Sequence, residues 1–98
     1  MRFLQFRDKD LSNKKRYLLG KDVKKLSDSY GAKFIVNSDP SLALALNAFG
    51  VHLGKSTYPI EVVKNKLKFR GIIGYSAHTV DEVREAFNSG ADYVTLSP

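Results

Sequence analysis

The chain has 98 residues, of which 43% are hydrophobic and none is cysteine. The lack of cysteine excludes disulfides, thiolate metal sites and a cysteine nucleophile. No apolar run approaches the roughly 20 residues that span a bilayer, and the first residues, MRFLQFRDKD, carry no signal-peptide core. We therefore expect a cytoplasmic protein with no membrane contact, in which residues 1–98 form a single domain or part of one.

The net charge of +6 is concentrated in residues 1–25, which hold nine Lys and Arg against three Asp. The lysines recur at helix-surface spacing, which indicates a solvated helix face; attraction of phosphorylated small molecules is a second interpretation. Most aromatic residues fall in predicted strands or apolar helix stripes, not among the basic residues. Nucleic-acid binding is therefore disfavoured.

The first third of the chain predicts a strand and a helix. Phe3 to Phe6 predict the strand, Ser12 the helix N-cap and Gly31 its left-handed terminator. Gly20 is expected to weaken or break this helix. Between the caps, four apolar residues recur at helical spacing and predict one apolar stripe: Leu19, Val23, Leu26 and Tyr30.

The middle of the chain repeats this pattern. Lys33 to Asn37 predict the second strand, after which Asp39-Pro40-Ser41 opens a short helix, SLALALNA. Gly50 to Leu53 predict the third strand. Pro59 suits the first turn of the next helix, whose inner face is predicted to contain Ile60, Val63 and Leu67.

The last third adds two further strands with one helix between them. Gly71 to Ser76 predict the fourth strand and Asp92 to Leu96 the fifth. Thr79 with Glu82 makes a capping box, which is a fairly specific signal for the start of a helix. Two apolar residues of that helix are predicted to face inward, Val83 and Phe87.

Strands that alternate with helices predict βαβ units and a parallel sheet. Along the strands, Leu4 and Phe6 fall on one face, and Gln5 and Arg7 on the other. Because a doubly wound sheet carries helices on both faces, both of its faces should be apolar. The parity therefore favours an α/β fold of the barrel type, a partial TIM-type (β/α) barrel with about five parallel strands.

Polar residues lie at or just after the end of each predicted strand. The carboxyl ends of parallel strands open on one side of the sheet, so we expect these side chains to form parts of one site. They are Gln5 and Arg7, Asn37, His52, Ser76 and His78, and Ser97. For Arg7 the alternative is an internal ion pair with Asp8 or Asp39, since an unpaired interior charge is costly. For His52 the alternative to a substrate contact is an interior histidine with satisfied hydrogen bonds.

Five segments in register resemble the thiamine phosphate synthase superfamily, which includes the synthase and the thiazole tautomerase TenI. They are LQFRDKD, FIVNS, FGVHLG, GYSAHTVDEVREAFNSGADYV and the terminal SP. The resemblance covers nearly the whole chain. It implies a (β/α)8 barrel of which this chain would match strands two to six.

The resemblance also implies roles for individual residues. In the synthase, an aminopyrimidine pyrophosphate ionises and a thiazole phosphate nitrogen attacks the resulting cation. Gln5, Arg7 and Lys9 match the motif that meets the pyrimidine and the pyrophosphate, and Asn37 matches an asparagine after the next strand. Ser76 matches a serine near the reacting groups. The chemistry agrees, because arginine offers a fork of donors to phosphate oxygens and lysine a mobile point charge.

Two positions depart from the synthase pattern. The family places its Mg²⁺-binding aspartates where this chain has Ser38 and Thr57. Hydroxyls are poor substitutes, because Mg²⁺ prefers anionic oxygens or phosphate around its waters. We therefore expect Mg²⁺ binding and full synthase activity to be impaired, with Asp39, one residue displaced, as an alternative ligand.

TenI-like members of the superfamily also depart from the metal pattern, and they use a histidine in the matching SxH motif for proton transfer. Here that residue is His78, which predicts a thiazole tautomerase as the alternative activity. A histidine with a pKa of about 6.5 can take and give protons at neutral pH. The other interpretations of His78 are a hydrogen bond that caps the following helix and a ligand contact.

A complete (β/α)8 barrel needs about 200 residues or more, so counterparts of strands one, seven and eight are expected to be missing. Three explanations remain open: a fragment of a larger barrel, a short protein that self-associates, and a non-catalytic binding or regulatory remnant. The exposed sheet edges favour self-association. Ser97-Pro98 resembles the start of the family's glycine–proline loop, with a frayed terminus as the alternative.

Overall fold

The computed structural model describes residues 1–97 and shows nine regular elements in them. Five strands alternate with four helices: β1 (Arg2–Phe6), α1 (Asn13–Ser29), β2 (Ala32–Asn37), α2 (Pro40–Ala45), β3 (Gly50–Leu53), α3 (Ile60–Asn65), β4 (Ile72–Ala77), α4 (Val80–Ser89) and β5 (Tyr93–Leu96). Within this part of the chain, no helix combines the length and the apolar character needed to cross a membrane.

The five strands form one parallel sheet in which neighbours follow chain order, β1-β2-β3-β4-β5. A doubly wound sheet reverses its strand order at a switch point, whereas a (β/α) barrel does not. The order therefore confirms the predicted partial barrel of five parallel strands and excludes the doubly wound alternative.

Local signals in the sequence set the ends of the helices. Ser12 Oγ accepts a hydrogen bond from the N–H of Lys15 (3.3 Å) at the start of α1. Thr79 Oγ1 accepts one from the N–H of Glu82 (3.1 Å) at the start of α4. Gly31 follows α1 with a φ of 65°, in the left-handed region that favours glycine. These three capping predictions are confirmed.

The sheet has one face covered by helices and one open face. The covered face and the inner sides of the helices form the core, which includes Phe6, Phe34, Val36, Val51, Leu53, Ile60, Val63 and Ile73. Strand register places the polar residues on the opposite face, which would line the interior of a closed barrel: Gln5, Asn37, His52 and Ser76. The predicted parity of the strands is therefore confirmed.

The prediction for the first helix is wrong in the break at Gly20 and in three of its four stripe residues, whereas Val23 packs against the core as predicted. The helix α1 runs without a break through Gly20. Gly20 is buried because it approaches α2 closely, so that an added Cβ would lie 2.8 Å from Leu46 Cδ1. This approach turns Gly20 and Ser27 towards the core and leaves three residues of the predicted stripe exposed: Leu19, Leu26 and Tyr30.

The prediction for Phe87 is also wrong. In α4, Ala86 is buried against the core, whereas Phe87 is 52% exposed. Both β1 and β5 are edge strands among residues 1–97, so the helices beside them have a neighbour on one side only. Large apolar side chains are consequently exposed towards both ends of the sheet: Phe3, Leu26, Tyr30, Phe87 and Leu96.

Candidate active site at the carboxyl ends of the strands

A buried histidine links three strands on the open face. His52 in β3 is 7% exposed. Its Nε2 lies 2.6 Å from Ser76 Oγ in β4, and its Nδ1 lies 2.9 Å from Tyr93 Oη in β5. Both ring nitrogens are therefore satisfied. Burial lowers the pKa of His52 below its ordinary value, so the imidazole is neutral at pH 7.

The hydroxyl partners of this histidine complete a chain of hydrogen bonds. Thr95 Oγ1 donates to Ser76 Oγ at 3.4 Å, and Ser76 Oγ in turn contacts His52 Nε2. In the neutral imidazole one ring nitrogen donates and the other accepts, and both Ser76 and Tyr93 carry a hydroxyl that can take either role. Burial raises the pKa of Tyr93, so the phenol stays neutral. We call this group, formed by His52, Ser76, Tyr93 and Thr95, the histidine cluster.

Gly74 makes room for the histidine cluster. It is buried in β4, and its register partners are His52 in β3 and Tyr93 in β5. A Cβ added at Gly74 would overlap the Tyr93 ring. The glycine therefore lets the phenol cross over β4 and reach the imidazole, whose ring centroid lies 5.5 Å from that of Tyr93.

A second polar group lies at the ends of β1 and β2. Asn37 Nδ2 donates to Gln5 Oε1 at 2.6 Å, and Ser38 Oγ donates to Asn37 Oδ1 at 2.7 Å. These bonds leave the Gln5 amide hydrogens and one Asn37 amide hydrogen as donors for a ligand. Asn37 is the register partner of His52, so the two polar groups are adjacent on the open face.

The two basic candidates follow β1 in the next loop. Arg7 and Lys9 are exposed, and neither forms an ion pair within residues 1–97. The carboxylates of Asp8 and Asp39 instead lie 3.5 and 3.3 Å from the guanidinium of Arg16 in α1. The alternative of an internal ion pair for Arg7 is therefore wrong, because Arg16 takes both of its expected partners.

An open cavity of about 490 Å³ lies beside these loops. Its lining combines one ammonium group with three aliphatic hydroxyls and a phenol and contains no carboxylate. We call it the hydroxyl pocket, and it is lined by Lys9, Ser38, Ser56, Thr57, Tyr58 and Pro59. Ser38 belongs both to this pocket and to the Gln5–Asn37 group, so the two are continuous.

His78 lies apart from the histidine cluster. It is exposed in the loop after β4, and its backbone N–H donates to Glu82 Oε1 at 2.9 Å. This bond lowers the pKa of Glu82. His78 Nδ1 lies 2.7 Å from the carbonyl oxygen of Ser97, and a carbonyl only accepts, so the neutral ring is protonated at Nδ1 and keeps Nε2 as a base. The backbone of Ser97 continues the β5 pairing; Pro98 lies outside the described residues.

Comparison with known proteins decides which family the arrangement belongs to. The family model of thiamine monophosphate synthase matches residues 1–98, the whole chain. This chain is a member of the thiamine monophosphate synthase family. It is 41% identical over 98 residues to the thiamine-phosphate synthase of Dictyoglomus thermophilum. It is also 41% identical over 97 residues to that of Bacillus cereus strain AH187.

A solved structure shows the same fold. Thiamine phosphate pyrophosphorylase from Pyrococcus furiosus superposes on this chain with a TM-score of 0.90 and 37% sequence identity, over 96% of this chain. The match covers 46% of the Pyrococcus chain, and the chain spans 44% of the length of the Dictyoglomus and Bacillus relatives. Residues 1–98 therefore correspond to rather less than half of these thiamine-phosphate synthase relatives.

The positions of the expected metal ligands do not suit Mg²⁺. Thr57 Oγ1 accepts from the N–H of Gly54 at 2.9 Å and donates to its carbonyl at 2.8 Å, so it closes a turn. Ser38 is neutral and donates to Asn37. Asp39, the alternative ligand, accepts from the N–H of Leu42 at the start of α2 and pairs with Arg16. This donor set offers no uncommitted carboxylate, which a protein-bound Mg²⁺ normally requires.

Sequence reasoning missed three residues that shape the site: Tyr93, Thr95 and Arg16. Tyr93 and Thr95 were placed in the fifth strand, but their partners come from β3 and β4. One available signal was Gly74, because a glycine within a strand often marks a close approach by another group. For Arg16, the helical lysine-rich segment gave no sign that one cation faces inward.

Proposed function

We propose that this chain supplies the pyrimidine-pyrophosphate part of a thiamine phosphate synthase site, in a larger assembly of thiamine biosynthesis. The observation that carries the proposal is the continuity of the Gln5–Asn37 group with the hydroxyl pocket on one side and the histidine cluster on the other. Such a surface offers amide groups for a heterocycle next to cations for phosphate oxygens. The ligand is thus a phosphorylated small molecule.

Each residue has a role in this proposal. Arg7 and Lys9 bind the leaving pyrophosphate and stabilise the charge that develops on it. Gln5 and Asn37 present amide donors and acceptors to the edge of the aminopyrimidine. Ser76 lies beside the reacting carbon, oriented by its 2.6 Å hydrogen bond to His52. Turnover requires thiazole phosphate as the second substrate, which the chain is expected to use poorly or not at all in the absence of the remaining strands.

Arg7→Ala is expected to weaken binding of the aminopyrimidine pyrophosphate about tenfold or more, because charge-assisted hydrogen bonds to phosphate contribute about 1.5–3 kcal/mol. Isothermal titration calorimetry measures the dissociation constant. Arg70→Ala is the matched control, since Arg70 is an exposed arginine at the opposite, amino end of β4. Unchanged affinity in Arg7→Ala, or an equal loss in Arg70→Ala, would contradict the proposed site.

Turnover assays, together with the same titrations, separate the alternatives. A tautomerase of the TenI type is favoured by the Nδ1–H tautomer of His78, which leaves Nε2 free to accept a proton. In that case His78→Ala abolishes turnover of a thiazole phosphate substrate while Arg7→Ala mainly weakens binding. A non-catalytic binding or regulatory protein would bind its ligand without any turnover. The cytoplasm is the location we propose for each of these functions.

We also propose that the chain self-associates through its sheet edges. Beside β1, a groove is lined partly by Phe3, Leu26 and Tyr30, which are all more than half exposed. Light scattering at micromolar concentration is expected to give a mass above 11.0 kDa, the mass of one chain, because exposed apolar patches and unpaired edges favour association.

Leu26→Lys is expected to shift this mass towards the monomer, because it places a charge in the groove. Leu18→Lys is the control, since Leu18 is similarly exposed on α1 but does not line the groove. A monomeric mass for the unaltered chain would count against self-association.

A further inference from the structure

We propose that the hydroxyl pocket binds the phosphate groups of its ligand directly, without a divalent cation. The inference rests on the proposed function, because it takes the ligand to carry a pyrophosphate. It goes beyond that function by assigning a metal-independent mode of anion binding to Lys9 and the hydroxyls of Ser56 and Tyr58. Ser38 and Thr57 line the pocket as neutral groups, because their hydroxyl hydrogens are donated to Asn37 Oδ1 and to the Gly54 carbonyl.

The nearby carboxylates are held away from the pocket. Asp8 and Asp39 flank the pocket in sequence, and either could in principle hold a cation. Both carboxylates instead contact the guanidinium of Arg16, whose side chain is only 20% exposed. Asp39 is further occupied by the N–H of Leu42 at 3.0 Å. Arg16 therefore offsets one of these two negative charges and holds both carboxylates outside the pocket lining.

The charge of the pocket suits a pyrophosphate without a metal. A Mg²⁺ ion held by two carboxylates adds no net charge to a site, because the two negative charges cancel the two positive ones. Two neutral hydroxyls without a metal add none either. With Ser38 and Thr57 in the lining, the positive charges of Arg7 and Lys9 therefore attract a pyrophosphate without any metal. Two aspartates at these positions without a metal would repel it.

The pocket also supplies hydrogen-bond donors for phosphate oxygens. Lys9 offers three N–H groups on a flexible stem. Ser56 makes no side-chain hydrogen bond within residues 1–97, and the phenol of Tyr58 also lines the cavity. Phosphate oxygens accept such N–H and O–H donors directly. The volume of about 490 Å³ also lies within the usual range of small-molecule sites.

The test compares inorganic pyrophosphate binding in EDTA with binding in Mg²⁺, by calorimetry on the full chain. We expect binding in EDTA that Mg²⁺ does not tighten, and about tenfold weaker binding in Lys9→Ala. The matched control is Lys68→Ala, because Lys68 lies in a separate cavity at the amino ends of the strands. Binding that appears only with Mg²⁺ would overturn this inference and leave the proposed function intact. An absence of binding under both conditions would overturn both.

The double variant Ser38→Asp with Thr57→Asp tests the same idea in reverse. We expect it to bind pyrophosphate at least about tenfold more weakly in EDTA and to recover affinity when Mg²⁺ is added. It should also bind Mn²⁺ by itself, which the unaltered chain should not. The positive φ of 67° at residue 38 tolerates aspartate, and a carboxylate at residue 57 can still accept from the N–H of Gly54. Equal behaviour of the variant and the unaltered chain in all three measurements would overturn the inference.

Discussion

Phe34→Ala is expected to lower the free energy of unfolding by about 3–5 kcal/mol, the usual cost of removing a buried aromatic ring. Phe34 in β2 is 2% exposed, and its ring stacks on that of Phe6 with centroids 6.1 Å apart. A small domain is stable by only about 5–15 kcal/mol in total, so this loss is a large part of its stability. Urea unfolding followed by circular dichroism measures the difference. The milder variant Phe34→Leu keeps the comparison possible if the alanine variant does not fold.

Phe87→Ala is the matched control for this experiment. It removes the same ring from a position that is 52% exposed, so the expected change is within about 0.5 kcal/mol. Equal losses in the two variants would contradict the placement of Phe87 outside the core. If Phe34→Ala lowers the free energy of unfolding by less than about 1 kcal/mol, the ring is not buried, and the described packing of β2 is contradicted.

Gly74→Ala is expected to cost about 3 kcal/mol of stability, at the upper end of the effects of overpacking. The added methyl group would overlap the Tyr93 ring, which would have to leave its place over β4. The hydrogen bond between Tyr93 Oη and His52 Nδ1 would then break. We therefore expect ligand binding to weaken together with stability, and both can be measured on one sample by urea unfolding and calorimetry.

A double-mutant cycle shows whether the Tyr93 ring causes the loss of stability in Gly74→Ala. In a Tyr93→Ala background, Gly74→Ala should cost much less, because the obstructing side chain is gone. Gly54→Ala is the matched control, since the nearest atom to its added Cβ would be Ser76 Cβ at an ordinary 3.9 Å. Additive effects of the changes at positions 74 and 93 would contradict the close approach of Tyr93 to β4.

Much of the fold follows from local features of the sequence. The predicted strands agree with the observed ones to within one residue at each end, for example Phe3–Phe6 against Arg2–Phe6. Strand parity placed Gln5, Asn37 and His52 on the open face, because side chains alternate strictly between the two faces of a strand. Capping signals worked for a similar reason, since a cap and the amide that it bonds are only about three residues apart.

The wrong predictions of core-facing helix residues have a different origin. Leu26, Tyr30 and Phe87 sit at helical spacing that normally marks a core-facing stripe, yet all three are exposed. Periodicity predicts which residues share one side of a helix, but it carries no information on whether another element covers that side. At the two edges of this sheet, the coverage is incomplete among residues 1–97.

By itself, the sequence determined the α/β alternation, the family, and the polar residues at the strand ends, because each depends on neighbours within a few residues or on motifs in register. Only the tertiary structure decided how these residues are engaged. Arg16 reaches Asp39 across 23 positions, and Tyr93 reaches His52 across 41. Such contacts depend on how strands and helices pack together and on the space that a residue such as Gly74 leaves open. A local pattern records neither, so the pairing of the acidic groups and the setting of the buried histidine became visible only in three dimensions.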